Sequence, residues 1–89
     1  MGIIKIRFSA KARKHMDYWK KTNNIKIQER ISLLIEAVLK DPFRGIGKPE
    51  PLKHHLAGKW ARRIDTENRF VYKVEGNILL IFSLKGHYE

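Results

Sequence analysis

Glu50 stands between two prolines in Lys48-Pro49-Glu50-Pro51-Leu52-Lys53. Proline restricts the backbone on either side, so such a carboxylate can be presented in a fixed direction for a catalytic role, although a solvated loop glutamate has the same spelling. His87 and Tyr88 supply an imidazole that exchanges protons near neutral pH and a ring able to stack on a nucleobase, or simply a frayed end. Arg62, Arg63 and Arg69 carry planar forks of donors that match phosphate oxygens, against the plainer reading of exposed strand charges. His54 and His55 are adjacent, so their side chains diverge in an extended segment and no metal site is assigned there. His15 falls beside Met16 on a helix and reads as structural or solvent-facing.

The charge balance says what such a set would meet. Nineteen Lys and Arg against nine Asp and Glu give +10 over 89 residues, enough to attract polyanions and to make binding strongly salt dependent. Residues 1 to 64 hold 16 basic and 5 acidic side chains, while 65 to 89 hold 3 and 4, so the basic surface should lie on the first two thirds. Cysteine is absent, which removes disulfides, thiolate nucleophiles and Cys-type zinc sites and fits a reducing compartment. Charges arrive within the first residues and no apolar run approaches membrane-spanning length. The expectation is one cytoplasmic domain over residues 1 to 89, with no cofactor.

The elements that must position these groups follow from periodicity. Ile4, Ile6 and Phe8 alternate with Lys5 and Arg7, the pattern of a half-buried strand. Ser9 offers a helix cap, and from Ala10 to about Lys21 the residues Ala12, Met16 and Trp19 share one face, with lysines opposite. After Thr22-Asn23-Asn24, the stripe Ile27, Ile31, Leu34, Ile35, Val38 predicts a second helix, which Pro42 ends. The stretch from Asp41 to Gly58 is too long and too rich in Pro and Gly for a plain connector and reads as an active loop. Strands are expected over Lys59 to Ile64, Arg69 to Val74 and Ile78 to Leu84. The fold class is α+β, in the order β-α-α-β-β-β, an antiparallel sheet with both helices on one face. Phe70, Tyr72 and Val74 should face the helices, leaving Arg63 and Arg69 on the open side.

Asp41-Pro42-Phe43, Gly45, Gly47-Lys48-Pro49-Glu50-Pro51-Leu52-Lys53-His54, Leu56 and Gly58 together resemble the YoeB/Txe family of the RelE toxin superfamily. The resemblance continues through Trp60, Arg62-Arg63-Ile64, Arg69 with Val71-Tyr72, and His87-Tyr88. It implies a RelE-like microbial RNase fold and a toxin that enters the ribosomal A site and cleaves messenger RNA without a metal. It implies an acidic YefM/Axe-like antitoxin that blocks the site, and a homodimer as a further possibility. By resemblance Glu50 is the general base, His87 the general acid, Arg69 the phosphate stabiliser and Tyr88 a positioning or stacking group. Lys53 and Arg63 hold the RNA backbone, with Lys48 and Arg62 as further candidates. Glu89 departs from the pattern, because the family commonly finishes at the His-Tyr pair.

Two other classes fit parts of the sequence. A non-catalytic RNA-binding module of the ribosome needs only the charge and interleaved aromatics. A toxin of the same fold aimed at DNA gyrase is the other, but it has no need of an acid-base pair.

Overall fold

The computed structural model describes residues 2 to 87. Strand β1 (Lys5–Phe8) leads into helix α1 (Ala10–Lys21) and helix α2 (Ile25–Lys40), followed by β2 (Glu50–Pro51), a 3-10 turn (His54–Leu56), β3 (Trp60–Arg63), β4 (Arg69–Glu75) and β5 (Ile78–Ser83). The five strands form one sheet in the order β1-β5-β4-β3-β2. Every neighbouring pair is antiparallel except β1 with β5, which is parallel. The sheet is therefore mixed: the long α1-α2 excursion is what allows β1 to enter beside β5 in the same direction.

Local chemistry accounts for both helices. The Ser9 hydroxyl accepts from the Ala12 N–H at 3.0 Å, and the Asn24 side chain accepts from the Ile27 N–H at 3.2 Å, each satisfying a donor that a helix start leaves without a partner. Lys20 and Lys21 close α1 with positive charge, where the helix dipole favours it. Helix α2 ends at Asp41, whose extended backbone is the conformation that a following proline demands.

Ala12 and Trp19 from α1 and Ile27, Ile31, Leu34 and Val38 from α2 are buried against Ile64, Phe70, Tyr72, Leu79, Ile81 and Leu84. Truncating a buried Leu in such a layer to Ala costs about 2–5 kcal/mol. Side chains of α1 also fasten the end of β5. Ser9 Oγ donates to the Phe82 carbonyl at 3.0 Å, Trp19 Nε1 to the Leu84 carbonyl at 2.9 Å, and the Leu84 N–H donates to His15 Nδ1 at 3.0 Å. His15 is thus structural, one of the two roles expected of it.

Strand β1 corrects the simplest periodicity argument. Ile4 is 74% exposed and Ile6 40%, because β1 is the outermost strand and the α1 side chains fasten onto β5 beside it. Alternation identified a strand here, but only Phe8 among the three apolar residues is partly covered. The sheet face opposite the helices is also not bare. It carries a second small apolar cluster of Leu52, Ala61 and Val71, with Leu56 and Phe82 against it.

Candidate functional site

The long loop becomes a strand through two unusual residues. The Gly47 carbonyl accepts from the Arg63 N–H at 2.7 Å, and Glu50 pairs with Ala61. Three steps on the loop side therefore match two on β3, as at a β-bulge, where the bulged strand bends and a side chain is re-aimed. The extra residue is absorbed by Gly47 at φ +86 and Lys48 at φ +51. Glycine is required at the first. A Cβ there would lie 2.9 Å from Leu34 Cδ2 and 3.0 Å from Arg62 Cβ. Beyond it β2 forms the outer edge of the sheet, a position that tolerates Pro51 because an edge strand needs no donor on its far side.

Register then decides which groups share a face. Glu50 is opposite Ala61, Ala61 opposite Val71, and Arg63 opposite Arg69. Paired residues project to the same side, so Glu50, Arg63 and Arg69 all stand on the face away from the helices. Strand spacing and rise put the Glu50 backbone roughly 8 Å from that of Arg63 and roughly 12 Å from that of Arg69. Side chains of these lengths are long enough to span such a gap. Arg69 Nη1 donates to the Asp65 carbonyl at 2.9 Å and the Asn68 carbonyl at 3.2 Å, which orients the guanidinium. Asp65 anchors that turn: burial raises its carboxyl pKa, but donors from Glu67 and Asn68 and the charge of Arg69 outweigh this and hold it below the ordinary value.

His87 arrives at the same corner. The Arg69 N–H donates to the Gly86 carbonyl at 2.9 Å and the Gly86 N–H to Asn68 Oδ1 at 2.8 Å, so the exposed His87 follows a residue tied directly to Arg69. Tyr88 lies outside the described residues. Lys48 and Lys53 are exposed on either side of Glu50. Glu50, Leu52, His54 and Leu56, with the residues between them, line an open cavity of about 580 Å³. This apolar recess beside a carboxylate can receive the flat face of a base.

Arg62 requires a correction. Expected to hold RNA, it is fully buried at 0% exposure, because alternation along β3 turns it toward the helices while Ala61 and Arg63 face outward. Its donors are engaged inside the protein: Nε to Tyr72 Oη at 3.1 Å, Nη1 to the Ile46 carbonyl at 3.1 Å, and Nη2 to the carbonyls of Asp41 and Arg44 at 2.6 and 3.0 Å. Two lysines were not singled out as site residues. Lys59 precedes β3 and holds its ammonium 4.2 Å from the centre of the Phe82 ring; Lys73 lies on β4 and pairs with Glu75 at 3.0 Å. The period-two count that assigns Arg63 and Arg69 to the open face assigns these two as well.

The family model for a YoeB-like toxin of bacterial type II toxin-antitoxin systems matches residues 8 to 88. A curated relative, the toxin YoeB of Synechocystis, is 53% identical over 74 residues, spanning 82% of this chain and 86% of its own. Among solved structures, a YoeB/ParE toxin from Agrobacterium tumefaciens superimposes with a TM-score of 0.91 at 38% identity, covering 96% of this chain and 100% of that one. A YoeB-YefM complex from Staphylococcus aureus contains a chain matching at a TM-score of 0.87 and 40% identity, over 96% and 98% of the two chains.

Proposed function

Because the chain belongs to the family of YoeB-like toxins of bacterial type II toxin-antitoxin systems, we propose that it is a ribosome-dependent endoribonuclease that cuts messenger RNA in the A site and so stops translation. Glu50 removes the proton of a ribose 2′-hydroxyl, and the oxygen attacks the adjacent phosphorus in line. His87 protonates the departing 5′-oxygen, leaving a 2′,3′-cyclic phosphate and a 5′-hydroxyl. Arg69 stabilises the charge that grows on the phosphoryl oxygens, Tyr88 positions or stacks, and Lys48, Lys53 and Arg63 hold the RNA backbone. The reaction so written draws on no metal.

The observation that supports this reading best is the register. The pairing of Glu50 with Ala61 and of Arg63 with Arg69 gives the sheet face away from the helices a carboxylate and two guanidinium groups, at the corner where residue 86 is bonded to Arg69. A charge of +10 draws the protein toward the ribosome, and the ribosome supplies alignment of the messenger. Positioning of that kind is worth several kcal/mol of barrier. The cytoplasm is the compartment in which such a toxin works. The natural blocker is an acidic antitoxin segment that orders on this basic surface, as the S. aureus complex with YefM suggests. A second copy of the chain is a further partner, since the S. aureus relative has also been solved as a dimer.

The test is a transcript-wide map of 5′ ends after induction of the wild type, Glu50→Gln and His87→Gln. Breaks confined to translated codons are expected from the wild type. Either substitution should reduce cutting by roughly 10²- to 10⁴-fold while RNA binding persists. Growth arrest that survives both substitutions would favour the binding module, and arrest with intact transcripts but broken DNA the gyrase target.

A further inference from the structure

We infer that Arg62 is a positioning residue for Glu50: its buried guanidinium sets the backbone of residues 41 to 47, and that backbone delivers the carboxylate to its place on β2. The inference rests on the proposed cleavage for its kinetic consequence only. Residues 41 to 47 belong to no helix or strand, so carbonyls folded in against the core must find partners elsewhere. Arg62 supplies them. Its guanidinium donates to the carbonyls of Asp41, Arg44 and Ile46, and its Nε to Tyr72 Oη. Tyr72 Oη in turn donates to the Pro42 carbonyl at 2.5 Å. Four residues of one short segment are thereby held by two linked side chains, three by Arg62 on β3 and Pro42 by Tyr72 on β4.

The loop is shaped around this side chain. A Cβ on Gly45 would lie 3.1 Å from Arg62 Nη1, and one on Gly47 would lie 3.0 Å from Arg62 Cβ. Immediately beyond, the Gly47 carbonyl accepts from Arg63 and the bulge leads to Glu50, opposite Ala61. Residues 61, 62 and 63 thus act together, with the Arg62 side chain gripping the approach from the helix side while the backbones of its two neighbours pair with the chain beside them. An aliphatic side chain of similar volume fills the space but takes the partner from three part-buried carbonyls. Among the described residues, the guanidinium bonds only to the carbonyls of this loop and to Tyr72 of β4.

Two substitutions separate this from a direct RNA contact and from a general loss of stability. Arg62→Lys keeps the charge and loses the fork. Tyr72→Phe loses only the hydroxyl and keeps the core filled. Single-turnover cleavage of a ribosome-bound messenger should fall about 10- to 100-fold in each, as displacement of a reacting group by an ångström does, with RNA affinity within about threefold of wild type. In a Glu50→Gln background the same changes should lower the residual rate by less than about twofold, because the group being positioned is gone. Amide hydrogen exchange at residues 43 to 50 should accelerate in both variants ahead of exchange in α2. Equal rate losses in both backgrounds, weakened RNA binding with an intact rate, or unchanged loop exchange would each overturn the inference. A wild type that cuts nothing refutes the nuclease reading instead, and the exchange measurement then decides by itself whether Arg62 holds the loop. If Arg62→Lys fails to fold, Tyr72→Phe decides.

Discussion

Replacing Gly47 with Ala tests the geometry that turns the loop into β2. Gly47 has φ +86, and holding an L-residue in left-handed backbone costs about 1–2 kcal/mol. The added methyl would also meet Leu34 Cδ2 at 2.9 Å, Arg62 Cβ at 3.0 Å and the Arg63 backbone nitrogen at 3.3 Å. Two of these neighbours, Arg62 Cβ and the Arg63 nitrogen, are fixed to the backbone of β3 and cannot swing away, so overpacking adds about 1–3 kcal/mol. The sum, about 2–5 kcal/mol, is a large share of the roughly 5–15 kcal/mol that holds a domain together. It corresponds to a fall in Tm of at least about 8 °C for a chain of this size. Gly76→Ala is the internal control: φ is +59, but a Cβ there meets nothing within 4 Å, so only the backbone part, about 1–2 kcal/mol, is lost. Urea unfolding followed by tryptophan fluorescence, with m-values compared to confirm a common unfolded state, reads both variants on one scale. A Gly47→Ala midpoint equal to that of Gly76→Ala would show that the loop does not dock on Arg62 and Leu34 as described.

Burial, together with the charges of Lys11 and Lys85, holds the His15 pKa below its ordinary value, and its Nδ1 accepts from the Leu84 N–H. The unfolded chain therefore binds this proton more readily than the folded one. Stability should decline as pH falls below about 6.5 toward the lowered native value and then level off. In His15→Gln that part of the pH dependence of urea unfolding should disappear, and an identical slope in the variant would refute the assignment. Arg63 is exposed on the open face, so Arg63→Ala should leave Tm within the change from an ordinary surface substitution, about 0.5 kcal/mol. It should also reduce the salt dependence of single-stranded RNA binding by about 0.7 in log-log slope. An unchanged salt slope would remove Arg63 from the RNA contact.

Much of the fold was legible because local rules act on neighbouring residues. Ser9 and Asn24 cap the two helices as their types suggest, and helix α1 spans Ala10–Lys21 as its pattern predicts. The stripe from Ile27 to Val38 is the face that packs. The open-face assignment of Arg69 and Val71 against Phe70 and Tyr72 follows from parity within one strand, and parity survives any partner. What alternation could not say is how deep each strand lies. Ile4 and Ile6 carry a buried-strand pattern but stand at the sheet edge, and an edge is defined by the strands that are not beside it.

Residue types, spacings and charge thus determined the helices, the strands and the list of groups able to move a proton or bind a phosphate, since each of these depends on chemistry within a few positions along the chain. Tertiary structure decided how those groups divide. The β3-β4 register brings Arg63 beside Arg69, and the bulge at Gly47 and Lys48 sets Glu50 opposite Ala61. Two arginines adjacent in sequence were separated by pleating alone, Arg63 to the solvent and Arg62 to the core. Strand pairing joins residues far apart in the chain, through hydrogen bonds that every residue but proline offers alike, so the choice of partner is written in the packing of the whole molecule.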